Sequence, residues 1–443
     1  MKKLLFILCI AYSFIAAGQT PATDFLGTKT LYKMPSIKYT PAPAGYVPVF
    51  INHVGRHSAR HLTKEVNTSY TYSLLAKADS AHVLTPKGQK LWQMVMALDK
   101  VEKGNVKSIS IEGQNELKAI GERMYAHYGN VFKGAINLNV GITKEVRTKQ
   151  SADAFLSGLK KNFKTNADIK QYTDDTNLRF YDFSPVYKQF EEEGEWLKYY
   201  QAMDKAEHIA QINDALCEQF FKADFLKTLD MNAREKLVND VFGFATIVFS
   251  LKDEVKQAGF QPADVAFISL FNPAQIKSLS KLDLADDYYK KGPGINNNGI
   301  QVRIAAPLLA NFIKTADGFI KGDNTNAQLR FAHAETISPI AALMGITTAN
   351  KATTTLNIGA FWQASQVIPL SSNIQWIFYK KPNSNNYLVK VLLNEKESHI
   401  AGMKDSGFPY YNWDELRKLY INKLQQLHVS LDDDMPAYLK NLK

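Results

Sequence analysis

Along the chain, apolar positions recur either at every second residue or at helical spacing, and the two patterns alternate. The run Val47-Pro48-Val49-Phe50-Ile51-Asn52-His53-Val54 is apolar and β-branched, and reads as a strand that feeds directly into a turn. Thr85-Pro86 supplies an N-cap and a first helical residue, and Leu91, Val95 and Leu98 follow at helical spacing. Leu117, Ile120, Met124 and Tyr128 predict a second helix. A short strand is expected to end near Arg147, with a helix beginning near Ser151 that puts Ala152, Phe155, Leu159 and Phe163 on one face. From about 185 to 299 the pattern is helical, with amphipathic stretches around 195–220 and 232–257 and no strand alternation. Gly292-Pro293-Gly294 and Asn296-Asn297-Asn298-Gly299 mark the loop by which the chain returns. Leu329 and Phe331 then alternate as a strand, and Ile337, Ile340 and Met344 recur as a helix. Residues 374–379 and 387–393 alternate around Pro382-Asn383-Ser384-Asn385-Asn386, a hairpin signature.

These elements predict an α/β body built from residues 46–184 and 300–443, with residues 185–299 as a helical insertion or cap. Residues 19–45, rich in Pro, Thr and Tyr and without periodicity, read as an extended arm laid over that body. Met1-Lys2-Lys3, an apolar run over residues 4–17 and the small residues Ala16-Ala17-Gly18 predict a signal peptide at residues 1–18, too short to span a membrane. The expectation is export, to the periplasm or to the cell surface and beyond, with no stable membrane insertion after cleavage.

Composition narrows the picture further. With 443 residues, 45% of them hydrophobic, the chain can bury a full core, which excludes a disordered protein. Cys9 falls in the leader, so only Cys217 remains, and an intramolecular disulfide is excluded from the exported form. Cys217, among Ala215, Leu216 and Phe220, is expected to be a buried small hydrophobe. The net charge of +10 steers anions toward the surface without identifying them. Nucleic acid is a poor candidate: there is no zinc-finger spacing, no aromatic RNP-like run and no dense Lys/Arg helix.

The chemistry concentrates where the first strand ends. Between His53 and His61 stand three histidines and two arginines. On a helix, His53, His57 and His61 would share one face as metal ligands do, but Arg56 and Arg60 would repel the cation and the preceding residues read as a strand. A solvated basic loop is the second reading. The third is an anion pocket, because arginine forks beside a histidine at the end of a buried strand can hold phosphate. That reading needs partners elsewhere. Arg147 stands beside a helix N-terminus, a position suited to an anion, although alone it reads as a surface arginine. His333 and Glu335 fall at a strand-to-helix junction, where the alternative is a helix cap and a buried histidine. Cleaving a phosphomonoester requires a clamp for the phosphoryl oxygens, an in-line nucleophile and an acid for the leaving oxygen. Arg56, Arg60 and Arg147 could form the clamp with His333 as a fourth donor, the guanidinium groups would keep His57 neutral and nucleophilic, and Glu335 could deliver the proton. Neither a metal nor another cofactor is needed in this scheme.

Arg56-His57-Ser58-Ala59-Arg60-His61-Leu62-Thr63 resembles the RHGxRxPT signature of the histidine acid phosphatases, a branch of the phosphoglycerate-mutase-like superfamily. Arg147-Thr148-Lys149-Gln150-Ser151-Ala152 is similar to that family's arginine followed by Ser-Ala, and His333-Ala334-Glu335-Thr336 resembles the HAE motif of its multiple inositol polyphosphate phosphatases. Weaker likenesses continue through Val367-Ile368-Pro369 and Leu393-Asn394-Glu395. The resemblance implies a three-layer α/β sandwich beside a helical domain, with the active site between them. It also implies a two-step phosphohistidine mechanism in which Arg56, Arg60, Arg147 and His333 bind phosphate, His57 attacks and Glu335 is the proton donor. Phytate and other inositol polyphosphates become the expected small-molecule substrates, and Thr63 and Lys64 match substrate-contacting positions of related phytases. Two positions depart from the pattern: Ser58 replaces a glycine and Leu62 a proline. If the glycine is needed for close backbone approach or for positive φ, Ser58 distorts the loop, at a cost of roughly 1–3 kcal/mol where the backbone is strained. The alternatives are a broad-specificity histidine acid phosphatase and, should Ser58 disable the loop, a non-catalytic binder of anionic ligands.

Overall fold

The computed structural model describes residues 24–36 and 38–442, so the leader read at residues 1–18 lies outside the described residues. Among the described residues, one mixed sheet holds β1 (Val47–Arg56), β2 (Ile136–Ile142), β3 (Ala167–Thr173), β4 (Ala327–Ala332), β5 (Asn373–Lys380), β6 (Tyr387–Leu393), β7 (Lys396–Glu397) and β8 (Tyr410–Asn412). The order is β3-β2-β4-β1-β5-β6-β7, with β8 paired to β6. β3, β2, β4 and β1 run parallel, whereas β5 pairs antiparallel with both β1 and β6. The expected hairpin is β5–β6.

β1 is central because both its faces are apolar. Ile51 packs with Leu138, Val140, Phe155, Leu329 and Ile377 under the helices Ile111–Tyr128 and Val146–Leu159. Phe50 and Val54 point the other way, toward Phe312, Trp376 and Phe378 and the helices Ala306–Ile320, Ala334–Met344 and Trp413–Gln426. The result is three layers, helix on sheet on helix. Each fully buried Phe, Ile or Val stabilises this packing by roughly 1.5–3 kcal/mol, and a one-residue slip would turn all of them to the wrong face. The register is therefore fixed, with Arg56 opposite Ala332 on one side and Ile142 opposite Phe331 on the far side of β4. The chain thus leaves β1, β2 and β4 side by side, at the carboxyl ends of neighbouring parallel strands where open α/β sheets bind ligands.

Helices fill residues 175–320. The stretch at 195–220 is two helices, Leu197–Ala206 and Ile209–Phe220, separated by His208 in the left-handed region at φ 54°. Met231–Ile247 and Lys252–Gln257 follow. Tyr70–Ser80 and Pro86–Glu102 join this layer, and Thr85 caps the latter by accepting from Gly88 N–H as its sequence predicts. Lys222 N–H donates to the Val83 carbonyl and Thr85 N–H to that of Phe220, so the two parts of the chain are sewn together. One continuous apolar core joins these helices to the sheet. Cys217 is buried within it, and burial pushes its thiol up to about 12.

The arm crosses the sheet and is held at several points. Thr30 O accepts from Leu370 N–H at 2.9 Å. Lys390 Nζ lies 4.8 and 4.6 Å from the ring centres of Tyr39 and Tyr410, 2.7 Å from Glu397 and 3.2 Å from the Thr40 carbonyl. No helix among the described residues is long and apolar enough to cross a membrane.

One boundary differs from the expectation. The strand ends at Ile142 rather than near Arg147, and the helix starts at Val146 rather than near Ser151. The cause is one hydroxyl: Thr148 Oγ1 accepts from Thr143 N–H at 3.2 Å and donates to the Glu145 carbonyl at 2.8 Å, which closes the first turn early. Arg147 therefore sits in the first helical turn, not at a strand end.

Candidate active site

The loop that follows β1 is gripped along its backbone. His57 N–H donates to the Ala332 carbonyl at 2.9 Å, and the His57 carbonyl accepts from Ser371 N–H at 3.2 Å. Nδ1 of His57 lies 3.0 Å from the Ser58 carbonyl. A carbonyl can only accept, so Nδ1 carries the proton and Nε2 keeps its lone pair. Burial, followed by the positive charges of Arg56, Arg60 and Arg147 and by His333, holds His57 well below the ordinary imidazole range. It is neutral and oriented, as a nucleophile needs to be.

Each arginine is held by a different part of the fold. Arg56 ends β1, and its Nη1 donates to the carbonyls of Thr28 in the arm at 2.5 Å and Ile368 at 2.6 Å. Arg60 Nη1 donates to the His61 carbonyl at 2.7 Å. Burial draws both guanidinium groups down to about 10, which leaves them charged at neutral pH. Arg147 Nη1 pairs with Glu145 at 2.9 Å, and Glu145 also takes Arg179 Nη1 at 2.7 Å. Arg147 Nη2 lies 3.2 Å from His333 Nδ1. Nε of Arg56 and of Arg147 are buried with no hydrogen-bond partner, so the forks retain unspent donors beside His57.

His333 is the N-cap of the helix Ala334–Met344, and its ring centre is 5.5 Å from that of His57. Its Nδ1 must accept from Arg147, so Nε2 carries the proton and faces Thr143 Oγ1 at 3.1 Å. Both ring nitrogens of His333 thus have partners, Arg147 on one side and Thr143 on the other. Burial and Arg147 hold it well below the usual value despite Glu335.

Glu335 lies in the first turn of the same helix and is 38% exposed, so a ligand in the cleft can reach it. Its Oε1 takes Lys291 Nζ at 3.2 Å, and Lys291 also pairs with Asp287 at 2.9 Å. Burial would raise this carboxyl, but Lys291, His333, the backbone N–H at the helix start and Arg56 together hold it well below the usual range. Glu335 is therefore ionised at neutral pH.

The other two histidines have separate surroundings. His53 packs 5.4 Å from the Phe155 ring and 5.5 Å from that of Phe331, and burial, with Arg330, lowers its pKa to about 3. His61 lies 3.3 Å from Glu102 and 3.7 Å from Glu254. Thr63 and Lys64 are exposed on the loop beyond Arg60.

Both departures from the motif are accommodated. Ser58 is not among the residues with positive φ, so the backbone demands no glycine there. Its hydroxyl has room because Gly113 faces it, a Cβ on Gly113 falling 2.5 Å from Ser58 Oγ and 2.1 Å from the Ala59 carbonyl, but it is buried without a hydrogen-bond partner. Leu62 contributes what proline lacks, an N–H that donates to both oxygens of Glu102 at 3.2 Å. Ser58→Gly is therefore expected to change stability by less than about 1 kcal/mol in thermal unfolding and to leave kcat within about threefold. A gain of about 1–3 kcal/mol would instead measure the cost of burying the Ser58 hydroxyl without a partner.

Lys291, Thr143, Arg179 and the Thr28 carbonyl escape the sequence reading. Lys291 looks like the end of an exposed helix, since Asp287 four residues earlier makes an ordinary surface pair. Nothing local marks it as the partner of Glu335.

A family model described as the histidine phosphatase superfamily, branch 2, matches residues 49–394. Multiple inositol polyphosphate phosphatase 1 of Gallus gallus is 20% identical over 467 residues, covering 97% of this chain and 96% of that protein. The structure of the Bifidobacterium longum multiple inositol polyphosphate phosphatase in complex with inositol hexasulfate is similar with a TM-score of 0.77 at 20% identity, over 93% of this chain and 99% of that one. The phytase from D. castellii gives 0.66 at 15% identity, over 91% and 85%. At such identities these structures speak for the fold, but the family model spans the loop after β1, the Arg147 helix and the His333 junction in a single match. The chain that brings those three segments together at one end of its sheet belongs to branch 2 of the histidine phosphatase superfamily.

Proposed function

We propose that the protein is a phosphomonoesterase that hydrolyses phytate and other inositol polyphosphates through a phosphohistidine on His57. The observation that carries this reading is the His57 ring: its Nδ1 is bound to the Ser58 carbonyl, Nε2 is left bare, and the surrounding charges come from Arg56, Arg60 and Arg147. The guanidinium forks bind the phosphoryl oxygens and offset the charge that spreads over them in the transition state. Nε2 attacks phosphorus in line, the ester P–O bond breaks, and the leaving alkoxide takes a proton from Glu335. Water then attacks the phosphohistidine and gives its proton to the Glu335 carboxylate. The P–N bond breaks, its electron pair returns to Nε2, and inorganic phosphate leaves. His333 keeps the Arg147 fork in position; donation to phosphate would require its Nε2–H to turn from Thr143.

The choice of a polyphosphorylated substrate is supported by two things. The relatives matched over nearly their whole length are named for inositol polyphosphates or as phytases. The wall of the site also brings further cations, Lys291 beside Glu335 and Arg179 beside Glu145 and His333, beyond the three that serve the reacting phosphate. Comparing kcat/KM for phytate with that for a small aryl phosphate tests the class. A preference for phytate of about tenfold or more is expected. Preference for the aryl ester would make the protein a broad-specificity phosphatase, and phytate binding in calorimetry with no phosphate released would make it a binder of anions.

A further inference from the structure

We infer that Glu116 is a positioning residue for the phosphate-binding loop, joining that loop to the arm as one rigid unit; this rests on the phosphatase reading above. Glu116 lies on the Ile111–Tyr128 helix and is 8% exposed. Its Oε2 accepts from Ala59 N–H at 3.2 Å and from the Ser371 hydroxyl at 2.6 Å, while Oε1 accepts from Tyr32 N–H at 2.7 Å. Three neutral donors from three separate segments thus converge on one buried carboxylate.

Each of those segments bears on the site. Ala59 stands between His57 and Arg60, and its carbonyl accepts from Ser110 N–H at 2.9 Å, so the same helical segment holds both its backbone groups. Gly113, one turn before Glu116, lets the helix come close enough for this. Ser371 sits in the left-handed region at φ 58°, a conformation sparsely populated by a serine, and its N–H donates to the His57 carbonyl at 3.2 Å. The Glu116 bond to its hydroxyl helps to keep it there. Tyr32 belongs to the arm, which four residues earlier supplies the Thr28 carbonyl to Arg56. A loop displaced by about 1 Å loses in-line geometry at a cost of roughly a hundredfold in rate.

Two variants test this. Glu116→Gln keeps the volume but replaces one acceptor oxygen by a donor, and Ser371→Ala removes one bond and leaves Glu116 intact. Both are assayed well below their measured melting temperatures. For phytate, kcat is expected to fall by at least about tenfold in Glu116→Gln and about threefold in Ser371→Ala, with KM nearly unchanged because groups outside the loop hold the other phosphates. Affinity for inorganic phosphate, which engages the loop itself, should weaken by at least about threefold in calorimetry. A purely structural role would lower the melting temperatures and leave kcat and phosphate affinity at the parent values, which would overturn the inference. Should Glu116→Gln fail to fold, Ser371→Ala decides alone. A parent protein that binds phosphate but never releases it from phytate would refute the phosphatase reading, while the phosphate affinities of the variants would still decide this one.

Discussion

Replacing His57 with alanine is expected to lower turnover by on the order of 10⁴-fold or more while the protein stays folded. The loss is large because no other side chain can take over the attack. His333, the other imidazole nearby, has Nδ1 against Arg147 and Nε2 against Thr143. His53 is enclosed by Phe155 and Phe331 and held near a pKa of 3, and His61 is engaged by Glu102 and Glu254. Folding should survive because His57 anchors the loop mainly through its backbone, to Ala332 and Ser371, and those bonds do not depend on the ring. The checks are kcat with phytate and thermal unfolding of the same preparation. A variant that retains a tenth of the parent kcat would remove His57 from the nucleophile's role.

The second large effect falls on Glu335. Glu335→Gln is expected to slow hydrolysis of alkyl phosphates by about 10²–10⁴-fold, and to slow transfer from an aryl phosphate much less, because that leaving group needs little protonation. The structure also sets the sign of the pH dependence. An acid works only when protonated, and an ordinary glutamate has a pKa of about 4.3. Lys291, His333 and Arg56 hold Glu335 below that range against the upward push of burial, so the reactive form of the free enzyme is already scarce at mildly acidic pH. The kcat/KM profile, which reports the free enzyme, should therefore fall with rising pH from a low starting point. A phosphoryl group in the site brings negative charge next to Glu335 and draws on the same cations, so the descending limb of kcat should lie at higher pH than that of kcat/KM. Lys291→Met removes the strongest stabiliser of the carboxylate and leaves Asp287 without its partner, and both changes raise the Glu335 pKa. The kcat/KM limb should then move up by roughly one pH unit or more. An unmoved limb in Lys291→Met would separate Glu335 from the ionisation that controls the rate.

Most of the side chains gathered around His57 were legible in the sequence, and the exceptions have physical reasons. β1 and its turn could be read because a strand buried on both faces needs an unbroken apolar run, and the change at Arg56-His57 is abrupt. The hairpin β5–β6 and the cap at Thr85 declare themselves through local turn and cap chemistry. The start of the Arg147 helix was misplaced because Lys144-Glu145-Val146-Arg147 alternates like a strand end, whereas the deciding bonds run from Thr148 to Thr143 and Glu145. The loop Arg56-His57-Ser58 was readable as a motif, but whether serine fits there depended on Gly113, 55 positions away in the chain, where any Cβ would fall 2.5 Å from the Ser58 hydroxyl. Glu116 left a trace that could have been followed. It shares a helical face with Gly113 and Ile120, and a carboxylate on an apolar face is a sign of buried hydrogen bonding. Lys291 left none, because its meaning arises only when the helix Pro273–Lys291 is laid against the start of the helix Ala334–Met344.

The most direct measurement of the central claim is to quench the enzyme with radiolabelled phytate during turnover and locate the label. The covalent mechanism on His57 predicts one acid-labile, base-stable phosphoryl group per active chain, mapped to His57, absent from His57→Ala and formed fast enough to account for kcat. Turnover without a labelled protein, or a label that persists in His57→Ala, would contradict it.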